Sequence, residues 1–360
     1  MTHTTLEDWI RKEAIPFFFD SQEAQDASID SVIASLSSVE LLGFGEALHG
    51  GEEILILRNR LFQRLVKKHG YAAIAIESSF PRARVVNDYI ASIDNISCEE
   101  RRLRIDSLLG SDSDWENQEA LADPAKAIGL TPAAIALRIE TEDLITELRT
   151  RRPELSAKGG QDRYLEALQY AKVARELLNF HAAVARKPDY ARLLEIRDAL
   201  MADNLAYIVG RERSRGKVLA FAHNSHLQRG KAVLPWYTFW PAGSHLHEIL
   251  GPRYAAVGTA LGASDANGIS RSEAGAIEAR LAAGLTALQA PALFISTHRS
   301  QGLLASEIAS LKARSGSTKN PSYVPLTSQS FTDFDWLAVL DEVAYSRGGP
   351  KLMQRDESGG

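Results

Sequence analysis

Six short apolar runs constrain this chain more than any other feature, at residues 39–45, 72–76, 217–222, 254–258, 292–295 and 336–340. None alternates apolar with polar residues as a strand with one wet face would, so both faces of each run need cover. Segments of helical periodicity separate several of them, among them 52–69, rich in Leu, Ile and Arg. The pattern predicts an α/β fold in which a layered, mostly parallel sheet core is flanked by helices. At 360 residues, 45% hydrophobic and 24% charged, the chain is long and apolar enough to bury such a core.

Between residues 94 and 214 no strand is expected and several helices are. Thr131-Pro132 supplies an N-cap and a proline at the first helical position, and Arg151-Arg-Pro153 stops the helix that follows. Further helices fit 161–184 and 190–211, the second with a broad apolar face through Leu193, Leu194, Ile196, Leu200 and Met201. The expected organisation is one discontinuous α/β catalytic core from 1–93 and 215–350, with a large helical insertion over 94–214 as cleft wall or lid and a flexible tail over 351–360. The acidic stretch 110–119, which carries Trp115, reads as a mobile edge over a site.

Charge narrows the partners. A formal net charge of -5, from 41 basic and 46 acidic residues, offers no electrostatic footprint for nucleic acid or an anionic membrane surface. The start, Met1-Thr-His-Thr-Thr-Leu-Glu-Asp-Trp-Ile10, lacks the basic and apolar regions of a signal peptide, and no apolar run reaches spanning length. The single cysteine, Cys98, rules out an internal disulfide and a cysteine-based zinc cluster, and fits a reducing cytoplasm. Its setting, Ile96-Ser-Cys98-Glu-Glu100, reads as a polar helix start rather than a nucleophile. A cytoplasmic protein acting on a small-molecule natural product is expected, with no nucleic-acid or membrane partner; its oligomeric state is not legible.

Chemistry concentrates where the runs end, which is where sites sit in an open α/β sheet. The first run leads into Gly43-Phe-Gly-Glu46-Ala-Leu-His49, the second into Ile76-Glu77, and the third into Ala222-His223-Asn-Ser-His226. If these strands are parallel neighbours, Glu46, His49, Glu77, His223 and His226 converge on one crevice. Arg58, nine residues beyond His49, reaches it by pointing back toward the N-terminus of its helix. An imidazole there can take a proton from water while a carboxylate fixes its tautomer, and a cation can stabilise an oxyanion. Glu77 in particular leaves a buried strand and needs a partner or a site. These six are the expected catalytic residues, and hydrolysis of an ester or lactone fits them. Phe80, Asn87, Asn224, Trp115 and Trp236 are the expected substrate contacts. Trp236 opens the aromatic segment Trp236-Tyr-Thr-Phe-Trp240, which either fills core or lines a cleft for an apolar substrate.

Other chemistries have weaker support. Glu46-x-x-His49 and His223-x-x-His226 have spacings that could hold a divalent ion, but the helix-borne His-Glu-x-x-His signature is absent, so no metal ligand and no cofactor is expected. No Gly-x-Ser-x-Gly elbow occurs, although Ser78 and Ser225 each neighbour a site residue and leave a Ser–His route open. Gly43-x-Gly45 follows a strand but lacks the third glycine of a dinucleotide fingerprint, with Leu48 in its place. His69, His181, His245 and His247 read as helix positions.

At these residues the chain resembles the erythromycin esterase family. The ordered series is Gly45-Glu46-Ala-Leu-His49-Gly50, Leu57-Arg58-Asn-Arg60-Leu61, Ile76-Glu77-Ser-Ser-Phe80, Val86-Asn87-Asp-Tyr89-Ile90, Arg197-Asp198, Ala222-His223-Asn224-Ser-His226, Gly243-Ser-His-Leu246 and Phe334-Asp335. The resemblance implies a layered α/β core with helical additions. It also implies metal-independent hydrolysis of a macrolide lactone, with water activated by a histidine at the position of His49 and with Glu46, Glu77, Arg58, His223 and His226 as its acid and base partners. A biosynthetic enzyme using the same pocket for cyclisation, elimination or transacylation is the alternative. A metal-dependent hydrolase is another, since the wider superfamily includes metal- and haem-binding relatives. The chain is shorter than expected for macrolide-cleaving members and carries Ala242 where a methionine is common, so the resemblance constrains the chemistry more than the ester.

Overall fold

The computed structural model describes residues 5–77, 96–117, 119–187, 189–234, 236–298, 305–317 and 319–347. Phe80, Asn87 and the tail 351–360 lie outside the described residues. Contacts divide the chain into two compact units, Met1–Glu77 with Met201–Gly360, and Ser78–Leu200.

The first unit is built on the apolar runs, all six of which form strands. In chain order the strands are β1 (Ile15–Phe17), β2 (Leu41–Glu46), β3 (Tyr71–Ile76), β4 (Lys217–His223), β5 (Ala232–Val233), β6 (Thr238–Phe239), β7 (Tyr254–Ala263), β8 (Ala292–Ser296) and β9 (Trp336–Glu342). A seven-stranded sheet has the order β1-β8-β9-β7-β2-β4-β3, and β5 and β6 form a separate hairpin. From β9 to β3 all neighbours are parallel, whereas β8 runs antiparallel to β9 and β1 antiparallel to β8. The sheet is therefore mixed at one edge. The sequence shows no signal for β1, β5 or β6 because each has only two or three residues. Pro16 inside β1 is tolerated because β1 is an edge strand.

Every residue of β2 and β7 is buried, which explains their missing polar alternation, whereas β3, expected to be covered on both faces, is an edge strand with Ile74 and Ile76 exposed. Successive residues point to opposite faces and enter two apolar layers. On one face Leu42, Phe44, Leu219 and Phe221 pack with Ile54, Leu57, Leu61 and Leu65 of the helix Glu52–Lys68. On the other, Leu41, Val218, Ala220 and Ala256 pack with Leu246 and Leu250 of the helix Ala242–Leu250 and with Leu281 and Leu285 of the helix Ile277–Leu288. Each fully buried Leu, Ile or Phe contributes about 1.5–3 kcal/mol, so these layers dominate the unit's stability. Ala202, Leu205 and Val209 also belong to this core, so the unit begins at Met201 where the sequence reading places the change near 214.

The second unit is helical. The helices Pro132–Thr150 and Gln161–Ala185 pack through Leu144, Ile145 and Leu148 against Ala167 and Ala171. The Thr131 hydroxyl accepts from the Ala134 N–H at 3.2 Å and Pro132 follows it, the start expected from the sequence. The stretch read as a loop over 110–119 contains a short helix, Asp112–Trp115. Trp115 donates through Nε1 to the Leu109 carbonyl at 2.7 Å and sets its ring edge-on to His181. Among the described residues no helix is long and apolar enough to cross a membrane.

Candidate active site

The register aligns three strand ends. Glu46 at the end of β2 pairs with His223 at the end of β4, while Ile76 of β3 pairs with Phe221. Glu77 continues the ladder by donating its N–H to the Phe221 carbonyl at 2.9 Å. Both carboxylates and His223 thus leave the sheet side by side, with His49 and His226 on the turns that follow.

Each imidazole is held differently. His49 Nδ1 lies 2.6 Å from Glu46 Oε1, with the Glu46 side chain buried and that of His49 57% exposed. A carboxylate accepts, so Nδ1 carries the proton of this bond and Nε2 keeps the basic lone pair. In the buried ring of His223, Nδ1 accepts from the Ser225 N–H at 3.2 Å and lies 2.7 Å from the Ser225 hydroxyl. Its Nε2–H therefore donates to the Ser322 carbonyl at 2.8 Å. Burial, followed by the neighbouring His226 and His49, pushes the His223 pKa down to about 3, so this ring is neutral at physiological pH. The two rings lie with centroids 5.3 Å apart.

Glu77 bridges β3 and the turn after β4. Its Oε2 accepts from the His223 backbone N–H at 3.1 Å and its Oε1 lies 3.5 Å from His226 Nε2. Arg58 does point back toward the strand end. Its guanidinium stacks on the Phe221 ring, 4.4 Å from the centroid, and donates to Asn59 Oδ1 at 2.9 and 3.1 Å. Burial lowers its pKa from the ordinary value and the Glu46 charge opposes that.

Two expected roles change. His223 is expected from the sequence as an acid or base partner, but both its ring nitrogens are used within the protein. Asn224 was expected to touch substrate; its amide instead donates to the Thr259 carbonyl at 2.8 Å and accepts from the Thr259 N–H at 3.1 Å. The β2–β7 ladder stops at Phe44 and Val257, and the Asn224 amide continues it by imitating a peptide. Only glycine leaves room for this at position 45, where a Cβ would lie 2.2 Å from Asn224 Oδ1. Trp236 is 87% exposed after β5, and Phe239 of the same hairpin has its ring centroid 6.1 Å from that of His226. Trp115 belongs to the helical unit.

The residues that sequence reasoning missed lie far along the chain. Ser322 Oγ accepts from the His49 N–H at 2.8 Å, Asn320 Nδ2 donates to the His49 carbonyl at 3.2 Å, and the Val324 N–H donates to the Ala47 carbonyl at 3.0 Å. Asn320-Pro-Ser-Tyr323 carries only the signal of a turn. Among the described residues no three His, Cys, Asp or Glu side chains are grouped so as to hold a metal ion.

A carboxylate-held imidazole stands beside a second Glu–His pair at the carboxyl ends of parallel strands, the place where sites lie in open α/β sheets. The profile of the erythromycin esterase family matches residues 106–343, well over half of the chain, and the chain belongs to that family, a family of ester hydrolases. Solved structures share the fold. A Bacillus cereus protein superposes with a TM-score of 0.68 at 16% identity, covering 96% of this chain and 98% of its own. A protein described as a succinoglycan biosynthesis protein gives 0.61 at 15% identity, with 95% and 97% covered. A histidine-to-asparagine mutant of the erythromycin esterase EreC in its open conformation gives 0.54 at 16% identity, with 88% and 94% covered. No curated protein matches the sequence significantly.

Proposed function

We propose that this protein hydrolyses the lactone of a macrolide or a related natural-product ester and so inactivates an antibiotic, with His49 as general base. The observation that carries the reading is the 2.6 Å bond from Glu46 to His49 Nδ1 in a side chain that solvent can reach. His49 Nε2 takes a proton from water as its oxygen attacks the ester carbonyl carbon, and Glu46 stabilises the imidazolium. Arg58 supplies the charge, and His226 beside Glu77 a ring N–H, that meet the carbonyl oxygen as it becomes an oxyanion. The tetrahedral intermediate collapses with the His49 proton passing to the departing alkoxide, giving an acid and an alcohol from ester and one water. His223 positions rather than reacts, and the exposed aromatics of the Trp236 hairpin give an apolar product face. Incubation with a panel of macrolides in ¹⁸O-water tests this. The expected product is heavier by one labelled water, and a His49→Asn protein with full activity on the same substrate overturns the role of the base.

A second reading, cyclisation, elimination or transacylation in natural-product assembly, draws on the biosynthetic description of one fold relative. Cyclisation without loss of water leaves the substrate mass unchanged and elimination lowers it, so the same product masses separate the two.

A further inference from the structure

We infer that residues 320–324 form a positioning strap that sets the His49 backbone and the His223 tautomer together, and that Ser322 and Asn320 are positioning residues for the base. The inference rests on His49 acting as that base. The strap contacts the turn at three points, the Ala47 carbonyl and both the N–H and the carbonyl of His49. The backbone on either side of the His49 Cα is thereby fixed, and with it the direction in which the imidazole leaves.

The hydrogen-bond directions are mutually consistent. Asn320 Oδ1 accepts from the Ser322 hydroxyl at 2.6 Å and from the Ser322 N–H at 3.1 Å. The hydroxyl proton is thus committed to Asn320, which leaves Ser322 Oγ an acceptor toward the His49 N–H. Asn320 Nδ2 donates to the His49 carbonyl and, at 2.8 Å, to Asn267 Oδ1, so all four bonding positions of its amide are filled. Asn267 is fully buried and donates in turn to Ser264 Oγ at 2.7 Å, just beyond β7. Farther along, the Leu326 N–H donates to buried Glu278 on the helix Ile277–Leu288 at 2.7 Å, which ties down the other end. The Asn320–Asn267–Ser264 part of this network is buried, and with every bonding position of the Asn320 amide filled it is rigid. Ser322 also accepts from the His223 ring through its carbonyl, so one residue holds the backbone of one histidine and the imidazole of the other.

The two rings are therefore held in opposite tautomers, Nδ1–H in His49 and Nε2–H in His223. Neutral imidazole in water prefers the Nε2–H form, so His49 departs from the solution preference and reports on its own placement. Long-range proton–nitrogen NMR spectra of histidine-labelled protein read both rings directly, with assignments from His49→Asn and His223→Asn. Ser322→Ala is expected to shift His49 toward the solution mixture with Glu46 still present, and Ser322→Thr to restore the Nδ1–H form. On p-nitrophenyl acetate, Ser322→Ala should lower kcat by roughly 10- to 100-fold with KM within about 3-fold, since the loss falls on the transition state. Asn320→Ser, which leaves Ser322 in place, gives the same test where Ser322→Ala does not fold. An unchanged Nδ1–H His49 in both folded variants overturns the strap. Full activity of His49→Asn overturns the base instead, and the tautomer result stands apart from it.

Discussion

Gly45→Ala tests whether the Asn224 amide replaces a missing stretch of sheet ladder. The new Cβ would lie 2.2 Å from Asn224 Oδ1 and 3.2 Å from Asn224 Cα, so the amide has to swing aside by about 1 Å or more to restore van der Waals contact. Doing so breaks its bonds to the Thr259 N–H and carbonyl. Two buried peptide groups are then stranded at about 1–3 kcal/mol each, of which the lower conformational freedom of the unfolded alanine chain returns about 0.4–1 kcal/mol. The net expectation is a loss of about 1–5.5 kcal/mol. Asn224→Ala strands the same two groups and should lose about 2–6 kcal/mol on its own. In the double variant the methyl occupies the space that the amide has left, so its loss should be that of Asn224→Ala alone less the same ~0.4–1 kcal/mol. The coupling is then about 2–6 kcal/mol, far above the ~0.5 kcal/mol seen for independent sites. Urea unfolding followed by the fluorescence of Trp9 and Trp336, both buried in the sheet unit, measures all four proteins. Losses that add within about 0.5 kcal/mol refute the reasoning, because they mean that the two side chains do not share that space.

Other expectations follow from the same site. Glu46→Gln keeps the shape but removes the charge facing the imidazolium, so kcat on a confirmed ester should fall by about 10- to 100-fold with KM little changed; equal kcat in the two proteins counts against the dyad. His223, with a folded pKa of about 3 against an ordinary 6.5, contributes stability that is full above pH 6.5 and lost as the pH falls toward 3, because the unfolded chain binds the proton first. NMR should find His223 still neutral at pH 5, and a protonated ring there contradicts its burial. Prolonged chelation should leave hydrolysis unchanged; loss of activity that zinc restores would favour the metal-dependent reading.

Much of this was legible because the informative residues stand at the ends of apolar runs. A run without alternation implies cover on both faces, which holds for β2 and fails for the edge strand β3, and a carboxylate or imidazole at the end of such a run needs a partner or a site. Glu46, Glu77 and His223 were placed that way, and the parallel β2-β4-β3 order aligns them. What stayed hidden depends on pairings that no local pattern encodes. The inward turn of His223 needs Ser322, which lies 99 residues away, and the role of Asn224 needs the β2–β7 ladder to stop at Val257. β1, with three residues and a proline, carries no periodicity to read.

The strap also sets an order of events as the chain is made. The bonds that fix His49 come from residues 271 and 273 positions later, whereas its carboxylate partner lies only three positions earlier. While the ribosome is still short of residue 320, the nascent chain already contains Glu46, His49, Arg58, Glu77, His223 and His226, and yet lacks the two side chains that bond the His49 N–H and carbonyl. With the proposed strap as the aiming device, a chain cut short before Asn320 would keep each of those side chains and lack the residues that hold the His49 backbone.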